Sequence, residues 1–152
     1  MDMKLAEALS LRADLQKRII QLKLRLKNSA KVQEGDEPAE NVEELFKELN
    51  ENLTQLEELI YRINDTNMHT LCDGENLTRL MARKDTLSMR VDLLRELLKH
   101  VAENETRYGR SELKSIRIVN VSELQKETDN YARQLRELDV KIQGLNWTTD
   151  LR

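Results

Sequence analysis

Apolar residues recur at alternating spacings of three and four over four long stretches of this chain. That period places them on one face of an α-helix and on no face of a strand. In the first stretch, about residues 4–27, the apolar stripe is Leu5, Ala8, Leu15, Ile19, Leu22 and Leu26, with Arg12 at its one polar position. The second, about 42–66, carries Val42, Leu45, Leu49, Leu53, Leu56, Ile60 and Ile63. The third, about 76–103, carries Leu77, Leu80, Lys84, Leu87, Val91, Leu94, Leu98 and Val101. The fourth, about 121–145, carries Val121, Leu124, Thr128, Tyr131, Leu135, Leu138, Ile142 and Leu145.

The boundaries have chemistry of their own. Asn41 precedes the second stretch and Glu44 sits where a capping box places its carboxylate. Asn120 and Glu123 repeat the arrangement before the fourth, with Val119 positioned to staple onto Leu124. Gly35 and Pro38 interrupt the chain after the first stretch, Cys72-Asp73-Gly74 after the second and Gly109 after the third. Ile116, Ile118 and Val121 alternate with polar residues, which admits a short extended segment before the fourth helix. Composition supports the helical reading: 35% of the 152 residues are charged, 3% are aromatic, and there are 4 Gly and 1 Pro. A sheet protein needs more turn-forming, aromatic and β-branched residues than that.

The expected fold is therefore all-α: one domain over 1–152 of four long antiparallel amphipathic helices, as a bundle or as helical hairpins. At 1.5 Å per residue the helices span about 36–42 Å and match in length. An up-down-up-down bundle puts the loops after helices 1 and 3 at one end. The first of these is acidic, with Glu34, Asp36, Glu37, Glu40, Glu43 and Glu44; the second carries Arg107, Arg110, Lys114 and Arg117 against Glu112. Mutual neutralisation is the ordinary outcome, and exposed pairs contribute about 0–1 kcal/mol each. The functional alternative is anion binding by Arg107, Arg110, Lys114 and Arg117, with Tyr108 available to stack a base.

Other chemistry-bearing residues have plainer readings. His69 and Cys72 lie three apart in a loop and lack the further ligands of a zinc site. His100 follows Glu96 by one helical turn and reads as a surface pair. Lys84 on the third stripe reads as an ion-paired or snorkelling residue, with Glu7, Glu58 and Asp139 at similar height on the other helices. No Glu-x-x-His pair, Gly-rich phosphate loop or nucleophile motif occurs. No catalytic residue, metal or cofactor is expected. With a net charge of −3, nucleic acid is not an expected partner. Met1-Asp2-Met3-Lys4 leads straight into a charged stretch and no run approaches the roughly 18 apolar residues of a membrane span, so the cytoplasm is the expected location. A single cysteine fits that compartment.

Ile20, Leu24 and Leu93 fall outside the core stripes, and Leu9, Ala13, Ile20 and Leu24 form a second stripe on helix 1. Burying it needs a neighbour beyond one four-helix core. The expectation is a homo-oligomer with Ile20, Leu24 and Leu93 at its interface and two-fold symmetry as the default.

Several strings are distinctive together: Lys4-Leu5-Ala6-Glu7-Ala8-Leu9, Arg12 to Ile19, Val32-Gln33-Glu34-Gly35, Arg107-Tyr108 with Arg110-Ser111-Glu112, and Asn146-Trp147-Thr148-Thr149-Asp150-Leu151. With them the chain resembles the septicolysin-like proteins, a small bacterial family, over nearly its whole length. The resemblance implies a helical protein carrying a cytolysin label, and offers no catalytic or pore-forming residues to carry over. The expected function is that of a non-enzymatic, self-associating helical scaffold or binding protein with a charged loop end. A cytolysin-like membrane-active toxin is the alternative, and an enzyme with a site in the interhelical loops the second.

Overall fold

The computed structural model describes residues 3–103 and 113–152. The described chain is helical, with α1 at Leu5–Ser29, α2 at Val42–His69, α3 at Leu77–Ala102 and α4 at Val121–Thr148. A two-stranded hairpin, β1 at Leu71–Cys72 and β2 at Glu75–Asn76, separates α2 from α3. The all-α reading and its four helices stand, with ends displaced by three residues at most.

The chain forms two compact units, residues 1–78 with 143–152, and residues 79–142. In the first unit α1 and α2 make an antiparallel hairpin. Leu22, Leu26 and Leu45 are buried together, with Val42 and Leu49 packed against them. Further along, Leu5, Ala8 and Leu15 of α1 and Leu59 and Ile63 of α2 are buried. Ser29 closes α1 inside this core, and its hydroxyl finds no partner among the described residues. The start of α2 is set by Asn41, whose Oδ1 accepts from the Glu43 and Glu44 amides at 3.0 and 3.3 Å.

The sequence stripe on α2 needs one correction. Leu53 and Ile60 are 43% and 38% exposed, while Asn52, Leu59 and Thr66 are buried in their place. Apolar residues occupy adjacent positions 59 and 60, and by apolarity alone the seam Phe46, Leu53, Ile60 reads as the better core line than Leu45, Asn52, Leu59, Thr66 with its two polar members. The buried seam is Leu45, Asn52, Leu59, Thr66, a seven-residue repeat in which Leu45 packs against α1 and Thr66 meets the tail.

The chain ends are tied together in the first unit. The Leu5 amide donates to the Thr149 carbonyl and the Leu151 amide to the Met3 carbonyl, both at 2.8 Å. Lys4 Nζ meets Asp150 Oδ1 at 2.6 Å. The Arg152 amide donates to Thr66 Oγ1 at 2.9 Å, and Arg62 Nε donates to the Arg152 carbonyl at 2.7 Å.

The β-hairpin turns on Asp73 and Gly74, at φ +53° and +82°. Two central residues with positive φ fit the twist of a two-residue hairpin, and Asp-Gly is a favoured pair for it. This hairpin is the extended structure of the described chain. Residues 113–118, where an extended segment was admitted by the alternation of Ile116 and Ile118, form no strand. Alternation alone does not supply the neighbouring strand that a sheet needs.

In the second unit α3 buries Leu80 and Val91, and α4 buries Leu124, Thr128, Ala132 and Ile142. Asn120 Oδ1 accepts from the Glu123 amide at 3.1 Å and caps α4. Lys84 Nζ meets Asp139 Oδ1 at 2.6 Å, so its place in the apolar stripe is that of an ion-paired residue. Arg90 lies over the Tyr131 ring at 4.8 Å from its centroid.

Candidate functional site

The surface residues singled out from the sequence divide into three groups. Ile20 and Leu24 on α1 are 59% and 55% exposed, and Leu93 on α3 is 62% exposed. Lys114 and Arg117 are exposed on the segment before α4, beside the exposed Ile116 and Ile118. Arg107, Tyr108 and Arg110 lie outside the described residues. The anion-contacting group is thus described only at Lys114 and Arg117.

The first unit carries a surface feature the sequence reading overlooked. Phe46 is 50% exposed and stands with Leu53 and Ile60 at seven-residue intervals on α2. Each follows a buried residue, Leu45, Asn52 or Leu59, by one position, so all three turn to the same side. The exposed members of the α2 pattern therefore form a second seam. Its charge differs from that of α1. The C-terminal half of α1 carries Lys17, Arg18, Lys23, Arg25 and Lys27, with no carboxylate between Asp14 and Glu34. The N-terminal two-thirds of α2 carries Glu43, Glu44, Glu48, Glu51, Glu57 and Glu58, with Lys47 as the one basic residue from 42 to 61. This segregation was readable from the sequence by counting charge per helix.

Part of that charge is matched inside the hairpin. Arg25 Nε donates to Glu40 Oε2 at 3.0 Å while Nη2 reaches Oε1, a two-point pairing that ties the acidic loop back to α1. The hydrogen bond from Arg25 holds the Glu40 carboxyl below its ordinary range, against an opposing desolvation and with a further contribution from the Arg25 charge. A depressed folded-state value means stability present above the unfolded pKa and lost as pH falls through the folded one. Carboxyl-carbon NMR titration is expected to find Glu40 ionising below the ordinary glutamate range. Arg25→Gln should return it to the ordinary glutamate range.

A groove of 990 Å3 lies along α2, and its lining includes apolar Leu11, Phe46 and Leu59 and polar Asn50, Thr54 and Glu58. Near the α2 C-terminus, His69 Nδ1 lies 2.8 Å from the Asp65 carbonyl oxygen, and Asp65 also pairs with Arg152. Cys72 is a half-buried free thiol that contacts Asp73. No group of three or more His, Cys, Asp or Glu side chains converges to hold a metal among the described residues.

These features define an all-α protein of helical hairpins with exposed apolar seams, in which no described helix is long and apolar enough to cross a membrane. The chain belongs to the family of unknown function DUF6847, whose model matches residues 12–151. It is similar, at 40% identity over 100% of both chains and with a TM-score of 0.91, to a functionally unknown conserved protein from Corynebacterium diphtheriae known from its crystal structure. No curated protein matches it. Family membership corrects the septicolysin-like resemblance, since neither the family nor the structural relative carries a septicolysin link. Each string behind that resemblance is short, and the longest, Arg12 to Ile19, consists mainly of common helix-forming residues, which recur in unrelated charged helices. The cytolysin expectation falls with it.

Proposed function

We propose that this protein is a self-associating helical scaffold that acts through its surface seams rather than through a reaction centre. The observation that carries this reading is the exposure of Ile20 and Leu24 on α1 and Leu93 on α3, together with Phe46 on α2. Single exposed apolar residues are ordinary, but a row of them at helical spacing is a surface for another helix. The free thiol of Cys72 fits work in the reducing cytoplasm.

Sedimentation equilibrium at micromolar concentration is expected to return a multiple of 17.9 kDa. Ile20→Glu with Leu24→Glu should reduce that mass while leaving helical circular dichroism intact, because both side chains already face water in the single chain. A parent protein that stays at the single-chain mass would sink the reading.

A further inference from the structure

The distribution of charge and apolar surface over the α1–α2 hairpin identifies an occupant for its exposed face. We infer that this face docks a second copy of the same chain, with α1 of each copy lying against α2 of the other. The inference rests on the self-association reading and names its surface.

Three observations lead there. The first is that the two seams share a side. Phe46, Leu53 and Ile60 each follow a buried position on α2 by one residue, and Ile20 follows half-buried Ile19 by one on α1. One residue is about 100° of helical rotation. In an antiparallel hairpin, rotation in the same sense on both helices leads to the same face, because chain direction and sense of rotation reverse together. Ile20 and the α2 seam therefore open on one side of the hairpin, with Leu24 at its edge.

The second is level. Leu26 and Leu22 pack with Leu45 and Leu49 inside the hairpin. Leu24 then stands level with Phe46, Lys27 with Glu43 and Ile20 with Asn50, each within about one residue's rise of 1.5 Å. A two-fold axis parallel to the helices preserves height and exchanges the helices across the interface. It sets Leu24 of one copy against Phe46 of the other, and the same contact forms a second time.

The third is charge. That operation brings the basic half of α1, with Lys23 and Lys27, onto the acidic part of α2, with Glu43 and Glu57. The alternative axis, across the helices, stacks α1 on α1 and α2 on α2, and placed at the level of Leu22 and Leu49 it sets basic residues against basic and acidic against acidic there. Electrostatic complementarity of this kind selects orientation and suppresses wrong registers.

The test uses the full chain. Lys27→Glu and Glu43→Lys should each weaken the dimer about tenfold in dissociation constant, and the double variant should restore it, because the exchanged charges meet again across the interface. Circular dichroism separates this from unfolding. Independently, in a Cys72→Ser background, a Leu24→Cys chain mixed with a Phe46→Cys chain should oxidise mainly to the mixed disulfide. Exclusive Leu24→Cys homodimers, or an assembly whose dissociation constant ignores both charge reversals, would overturn the inference while leaving self-association intact. A parent chain that is monomeric throughout would remove both. A partner other than a second copy would appear as an assembly lost on purification to homogeneity, and that too rejects the proposal.

Discussion

Replacing Leu22 by alanine is expected to lower the unfolding free energy by about 3 kcal/mol, within the range for a leucine truncated in a packed core. Leu22 is 2% exposed and sits with Leu26 and Leu45 where α1 and α2 pack together. The aromatic content is 3%, so branched aliphatic side chains must supply most of the apolar burial. Leu24→Ala, two positions away on the exposed side, should change stability by less than about 0.5 kcal/mol. Urea unfolding of both variants measures the contrast, and near-equal losses would contradict the assignment of faces on α1.

Thr66→Val should cost about 1–2 kcal/mol although it preserves side-chain volume. Thr66 is fully buried; its hydroxyl donates to the Arg62 carbonyl at 2.7 Å and accepts from the Arg152 amide at 2.9 Å. Valine leaves the Arg152 amide without that acceptor and loosens the join between the tail and α2. The consequence is local as well as global. Hydrogen exchange at the Leu5 and Leu151 amides, which donate to Thr149 and Met3, should speed up before exchange in the middle of α1 does. Unchanged protection at those two amides would show that the tail is held without Thr66.

The parts that could be read in advance are those governed by neighbours in the chain. Asn41 and Asn120 mark helix starts because a short side-chain acceptor reaches amides two and three residues ahead. The stripes of α1, α3 and α4 were legible because apolar residues recur along each at spacings of three and four, and on α1 the main stripe stays distinct from the second one through Ile20 and Leu24. The Asp73-Gly74 turn was legible as a break, and its hairpin could have been read from the two-residue Asp-Gly signal. The candidate interface was half legible. Ile20 and Leu24 stand clear of the α1 stripe, whereas Phe46 drew no notice because its seam was mistaken for part of the core.

Sequence alone determined the helices and the charge each one carries, because helix formation and amphipathicity depend on residues within a turn or two of each other. Tertiary structure alone decided which of two adjacent seams on α2 is buried. Leu59 and Ile60 are equally apolar, yet Leu59 is buried and Ile60 is exposed, a difference that neighbours distant in the chain decide. It also decided that Met3, Thr66 and Arg152 belong to one joint. Those residues are far apart in the chain, and no local period encodes a contact whose energy appears only once the chain has closed on itself.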